Sequence, residues 1–255
     1  MEKKIKPLYI VVGVVIAVLM IGGAALLTTK GTPSASTNED PGATASNPNE
    51  PSDTQQAPKK DEGGQPSQEE FLLSLPTRKP DDPAAIGDVD APVVVTEWFD
   101  YRCPFCSAFN EDTLPELMHY VEEGKVRFEF RDFAVFGPDS EYAAVAARAA
   151  GAQGKQIEFM DAIFAKLPNK GHPPVDEAVV TEIAQRVGVA DMEKFKEDLK
   201  SEDLRNAVLA QTYEAQQLGV SSVPHFVVNT QVLSGARPAD TFKQIIEAEL
   251  AKAGA

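Results

Sequence analysis

The 255-residue chain holds two cysteines, and both fall in one motif, Cys103-Pro104-Phe105-Cys106. At that spacing one sulfur can attack the other within a single helical turn, so the pair can cycle between dithiol and disulfide. A helix starting at Cys103 would aim unpaired backbone N–H groups at that sulfur and favour its thiolate. Cys106, one turn further in, would be shielded and act as the resolving thiol. Pro104 suits such a first turn, where its missing N–H is no loss. Two other chemistries compete. A structural disulfide across so short a loop constrains almost no chain. A zinc site needs four ligands, and His119, His172 and His225 are scattered along the chain, so no metal is assigned.

The elements that must position this motif lie around it. Val93–Phe99 (VVVTEWF) is β-branched and apolar, the pattern of a buried strand, and Val126–Asp132 (VRFEFRD) alternates like a second. Helical spacing follows Cys103 to near Gly124, with a kink expected at Pro115. From about Ser140 to Leu218 the chain reads as several helices, divided at Gly151 and Gly154, at Pro168–Pro174 and at Gly188. Val223–Asn229 and Gln231–Ser234 form a hairpin pattern. Ala239–Lys252 closes as an amphipathic helix with Phe242, Ile245, Ile246 and Leu250 on one face. This order predicts an α/β domain over 71–255 with an all-helical insertion at about 139–218.

Two residues in these strands stand out. Glu97 is an acid inside an apolar strand. It is either half-exposed or buried with a task, and the task that fits is proton exchange with Cys106 at a raised pKa. His225 follows Val223-Pro224 at a strand start. It is either an ordinary strand residue or a positive charge near the cysteines.

The chain ahead of the domain is different in kind. Leu8–Leu27 is 20 uncharged residues behind Lys3, Lys4 and Lys6. A helix of that length spans about 30 Å, one bilayer core, and the lysines keep its start cytoplasmic. Residues 1–30 therefore read as a short tail and a single-pass anchor, with a cleaved signal peptide as the alternative. Either reading exports the rest. Residues 31–70 contain six prolines and no Val, Ile, Leu, Met, Phe, Tyr or Trp, a composition expected to stay disordered as a tether. A net charge of −15 argues against a nucleic-acid partner, which needs a basic face.

Taken together, VTEWFDYRCPFC (Val95–Cys106), KVRFEFRDFAVFGPDS (Lys125–Ser140), GKQIEFMDAIFA (Gly154–Ala165) and GVSSVPHFVVN (Gly219–Asn229) resemble the DsbA-like thiol-disulfide oxidoreductases. The resemblance covers about residues 86–252. It implies a thioredoxin fold with a helical insertion, Cys103 as nucleophile, Cys106 as resolving cysteine and Glu97 as the family's buried acid. It also implies a cis Pro224, with Val223 offering its backbone to a client's extended chain. The redox-active disulfide Cys103–Cys106 would serve in place of any cofactor. The implied activity is disulfide introduction into unfolded exported proteins by a monomer. A quinone-linked membrane partner, DsbB-type or vitamin-K-epoxide-reductase-like, would reoxidise it. A reductase or isomerase of the same fold and a non-catalytic client-binding module are the alternatives. The best-known members carry histidine where this chain has Phe105, so thiolate stabilisation here must rest more on the backbone.

Overall fold

The computed structural model describes residues 66–255. The expected anchor at Leu8–Leu27 and the linker up to residue 65 lie outside the described residues. Among the described residues no helix is long and apolar enough to cross a membrane.

Folded structure begins ahead of Phe71. Ser67 caps helix α1 (Gln68–Leu73) through a capping box. Its hydroxyl accepts from the Glu70 N–H at 3.2 Å, and the Glu70 carboxylate accepts from the Ser67 N–H at 2.8 Å. The linker's expected end at residue 70 therefore moves back. A cap built only from polar residues has the composition of disordered chain, which is why composition placed the boundary late.

Strand β1 (Ala85–Ile86), strand β2 (Val93–Phe99), helix α2 (Pro104–Ala108), a π-helical segment (Phe109–Thr113) and helix α3 (Leu114–Glu122) follow. Next come strand β3 (Val126–Asp132), helices α4 (Pro138–Gly151), α5 (Gln156–Lys166), α6 (Glu177–Arg186), α7 (Met192–Asp198) and α8 (Glu202–Gln217), strands β4 (His225–Val228) and β5 (Gln231–Ser234), and helix α9 (Ala239–Ala253). The sheet order is β1-β3-β2-β4-β5. Only β2 and β3 pair in parallel, and the other pairs are antiparallel. This is the thioredoxin arrangement, with α4–α8 inserted between β3 and β4.

All seven residues of β2 are buried, because both faces of the central strand are covered. On the front face Val93, Val95 and Phe99 join Phe109, Leu117, Phe128, Phe226, Phe242 and Ile246 in the main core. On the back face Trp98 packs with Leu72 of α1, Phe133, Ala215, Val220 and Val227. The alternation in β3 does not place its polar side in water. Arg127, Glu129 and Arg131 are all buried, under the chain that leads from α1 into β1. Glu129 accepts from the N–H groups of Thr77 and Arg78, each at 2.8 Å, and pairs with Arg127 at 3.1 Å and Arg131 at 2.8 Å. A buried charge is tolerated only when partnered in this way.

The kink expected at Pro115 takes the form of the π-helical segment just before it. A wider turn leaves room for the ring, which has no N–H to give to the preceding turn.

Candidate active site around Cys103

Strand β2 delivers the chain to the front edge of the core, and the loop Asp100–Arg102 turns it into α2. The Cys103 N–H donates to the Asp100 carbonyl at 3.0 Å, closing this turn. Cys103 sits at the N-cap with φ −82° and ψ 120°, and Pro104 opens the helix. The Ser107 N–H donates to the Cys103 carbonyl at 3.0 Å, so the motif occupies one real helical turn. Both cysteines are free thiols and buried.

Their electrostatics differ in sign. The Cys106 thiol hydrogen-bonds the Cys103 sulfur and holds the Cys103 pKa below its ordinary value. The backbone N–H groups of Cys106 and Phe105 add to this, against burial and the charge of Asp100. Burial pushes the Cys106 thiol well up, and its bond to Cys103, the Cys103 charge and Glu97 push the same way. One sulfur is thus prepared as a thiolate and its neighbour as a protonated thiol.

Glu97 is 3% exposed on β2, opposite Phe226 of β4, and its carboxyl pairs with no other side chain among the described residues. Burial first, and the charge of Cys103 second, raise its carboxyl well above the ordinary range. It is a buried acid that can hold a proton near the dithiol. On the other side of Cys103 the Val223–Pro224 bond is cis, and the Cys103 thiol donates to the Val223 carbonyl at 3.7 Å. Phe105 is 63% exposed and adds an apolar surface beside the sulfur rather than a hydrogen bond.

His225 differs from the charged role considered above. It pairs in register with Trp98, whose ring centroid lies 6.1 Å away, and so takes the sheet face opposite to Glu97. Burial lowers its pKa, which favours the neutral ring. Among the described residues no group of three or more His, Cys, Asp or Glu side chains is placed to hold a metal ion.

Two site residues escaped the sequence reading. Asp100, 1% exposed, accepts from the N–H groups of Arg102 at 2.8 Å, Val135 at 2.8 Å and Phe136 at 3.3 Å, and from the Ser140 hydroxyl at 2.9 Å. Arg102 donates to the carbonyls of Phe136, His172 and Pro173 at 2.7, 2.6 and 2.7 Å. Together they tie the cysteine loop to two loops of the insertion. The available signal was an acid and an arginine flanking Tyr101 directly ahead of the motif.

A family model described as thioredoxin matches residues 79–248. The chain is 33% identical over 173 residues to the probable disulfide bond formation protein D of Bacillus cereus, covering 66% of this chain and 79% of that protein. It is 29% identical over 168 residues to disulfide bond formation protein D of Bacillus subtilis, covering 65% and 76%. The crystal structure of oxidised BdbD from Bacillus subtilis aligns with a TM-score of 0.62 at 28% identity, over 66% of this chain and 92% of that one. The structure of Wolbachia pipientis alpha-DsbA1 gives a TM-score of 0.63 at 21% identity, over 73% and 98%, a likeness of fold.

Proposed function

The chain belongs to the thioredoxin family as a DsbA-like thiol-disulfide oxidoreductase, and from that premise we propose that it is an oxidase that introduces disulfides into exported proteins. The observation that carries this direction is the opposed pKa shifts of the two sulfurs. Whatever stabilises the Cys103 thiolate stabilises the reduced protein and makes its disulfide the stronger oxidant.

In the proposed cycle a client thiolate attacks Cys103 Sγ of the Cys103–Cys106 disulfide. A client–Cys103 bond forms, the Cys103–Cys106 bond breaks, and Cys106 leaves with the electron pair. Its high pKa draws a proton, for which Glu97 is the nearby source. A second client thiolate then attacks the client sulfur of the mixed disulfide and releases Cys103 as its thiolate. The client loses two electrons and the enzyme gains two. Val223 would pair with the client's extended backbone while this occurs. Reoxidation passes the two electrons to a membrane partner, as the quinone-linked enzymes of the DsbB or vitamin-K-epoxide-reductase type would accept them. The redox-active disulfide is the cofactor in this scheme.

Equilibration with glutathione buffers tests the direction. The expected potential lies well above the ~−270 mV of thioredoxin. A value at or below that figure turns the reading into a reductase, and efficient refolding of scrambled ribonuclease would make it an isomerase.

We also propose that Leu8–Leu27 anchors the protein in the cell membrane and residues 31 to about 65 tether the domain on the extracytoplasmic side. Fractionated cells should then yield the protein in the membrane pellet. After treatment of intact cells with a membrane-impermeant reductant, a membrane-impermeant maleimide should label Cys103. Recovery in the soluble fraction, or labelling only after lysis, defeats the proposal.

A further inference from the structure

A narrow slot of about 10 Å3 opens beside Cys103, room for one water- or methyl-sized group. Tyr101 and Pro104 line it from the cysteine loop, and Leu167, Pro168 and Pro173 from the loop after α5. Neither Val223 nor Pro224 contributes, so the slot is separate from the strand-pairing edge on the cis-proline side. Ser107 also lines it, with its own hydroxyl buried and without a hydrogen-bond partner in the structure. Arg102, Cys103 and Phe164 complete the lining, so the slot is narrow and mixed in character.

Its far wall has no regular secondary structure of its own between Leu167 and Pro173. Arg102 holds it there. The planar guanidinium bonds the carbonyls of His172 and Pro173, and Phe136, whose carbonyl takes the third bond, stacks on the His172 ring at a centroid distance of 3.5 Å. The Arg102 backbone is in turn fixed by Asp100. All three guanidinium bonds go to backbone carbonyls outside the Cys103–Cys106 motif, and Asp139 pairs with the same group at 3.7 Å.

We propose that Arg102 is a positioning residue that keeps this slot narrow, and that the slot selects clients with a small residue beside the reacting cysteine. An alanine or serine side chain matches in size the slot between Pro104 and the Leu167–Pro173 wall. A leucine does not enter without moving the wall. The inference rests on the oxidase reading and adds its client preference.

The test uses the full-length oxidised protein and two unstructured peptides, each with two cysteines flanked on both sides by alanine or by leucine. Dithiothreitol, which needs no subsite, reports the chemistry alone. The alanine peptide should be oxidised with about tenfold higher kcat/KM, the low end of what a methylene-scale misfit produces, and the difference should lie in KM. Arg102→Met should bring the ratio close to one, with the change read in the KM of the leucine peptide. Arg102→Lys should do the same, because a point charge cannot hold three carbonyls in one plane. Leu167→Ala widens the slot by trimming a side chain of that wall without touching Arg102, and should favour the leucine peptide even if the Arg102 variants fold poorly. Equal peptide rates in the parent, with dithiothreitol oxidised normally, overturn the slot alone. So does a ratio unchanged by all three variants, or a potential shift in Arg102→Met with the ratio intact. A parent protein that oxidises neither dithiothreitol nor peptide overturns the oxidase reading and the slot with it.

Discussion

The reactivity of the site comes from two sulfurs one turn apart with opposite preferences for the proton. Cys103→Ser should form no adduct with a client. Cys106→Ser should accumulate a mixed disulfide with a client that already holds a disulfide, visible on a non-reducing gel, because Cys103 attacks one client sulfur, expels the other as thiolate, and no enzyme thiol is left to displace the adduct. The depressed Cys103 pKa also has a sign in stability. A thiol whose folded pKa lies below its unfolded one stabilises the folded state above the unfolded pKa, and that gain is lost as pH falls through the folded pKa. Reduced protein should therefore gain on oxidised protein in Tm as pH rises through the Cys103 titration. Cys106, pushed upward, opposes this only above the ordinary thiol range of about 8.5. Glu97→Gln keeps the shape of the carboxyl and removes its titration. Turnover should fall by about 10²-fold, and the limb of the pH–rate profile that Glu97 supplies should vanish. An unaltered profile removes Glu97 from proton transfer. The dithiol and Glu97 stood out in the sequence because their signals are local, a spacing and an acid in an apolar run, whereas a cis Pro224 was implied only by the family resemblance. Asp100 and Arg102 did not stand out, since their partners lie 34 to 71 residues away and only the fold brings them together.

At the level of elements, β2, β3 and β5 fall where the periodicity put them, with the helical block divided at the expected glycines and prolines. The short pieces were missed. Strand β1 has two residues, too few for any period, and α1 lies in chain of linker composition. The buried charges on β3 explain what these pieces do. Glu129 is held below the ordinary carboxylate range: burial raises it, but the Thr77 and Arg78 N–H groups and the two arginines outweigh that. Its contribution is present above the unfolded Glu pKa of about 4.3 and is lost as pH falls through the folded value. Glu129→Gln should cost about 3–5 kcal/mol at neutral pH by stranding Arg127 and Arg131, and should flatten the acid limb of the stability curve. Urea titration across that range reads both effects. Leu72→Ala should cost about 2–4 kcal/mol, because the side chain plugs the second core beneath Trp98. A loss under ~0.5 kcal/mol would mean that α1 rests on the domain without supporting it.

For the molecule as a whole, the −15 charge argues against nucleic acid and identifies no partner. The composition located a domain without showing that its sheet is covered on both sides by different chains of contact. The front carries the dithiol, Glu97 and the large aromatic core, and the back carries α1, the β3 charges and the end of α8. The protein has one tryptophan, Trp98, and it belongs to the back. Its emission therefore monitors whether the sheet is intact, while thiolate absorbance monitors the cysteines on the opposite side. A single sample carries two optical signals, one for folding and one for electron transfer, with the central strand of the sheet as the partition between them.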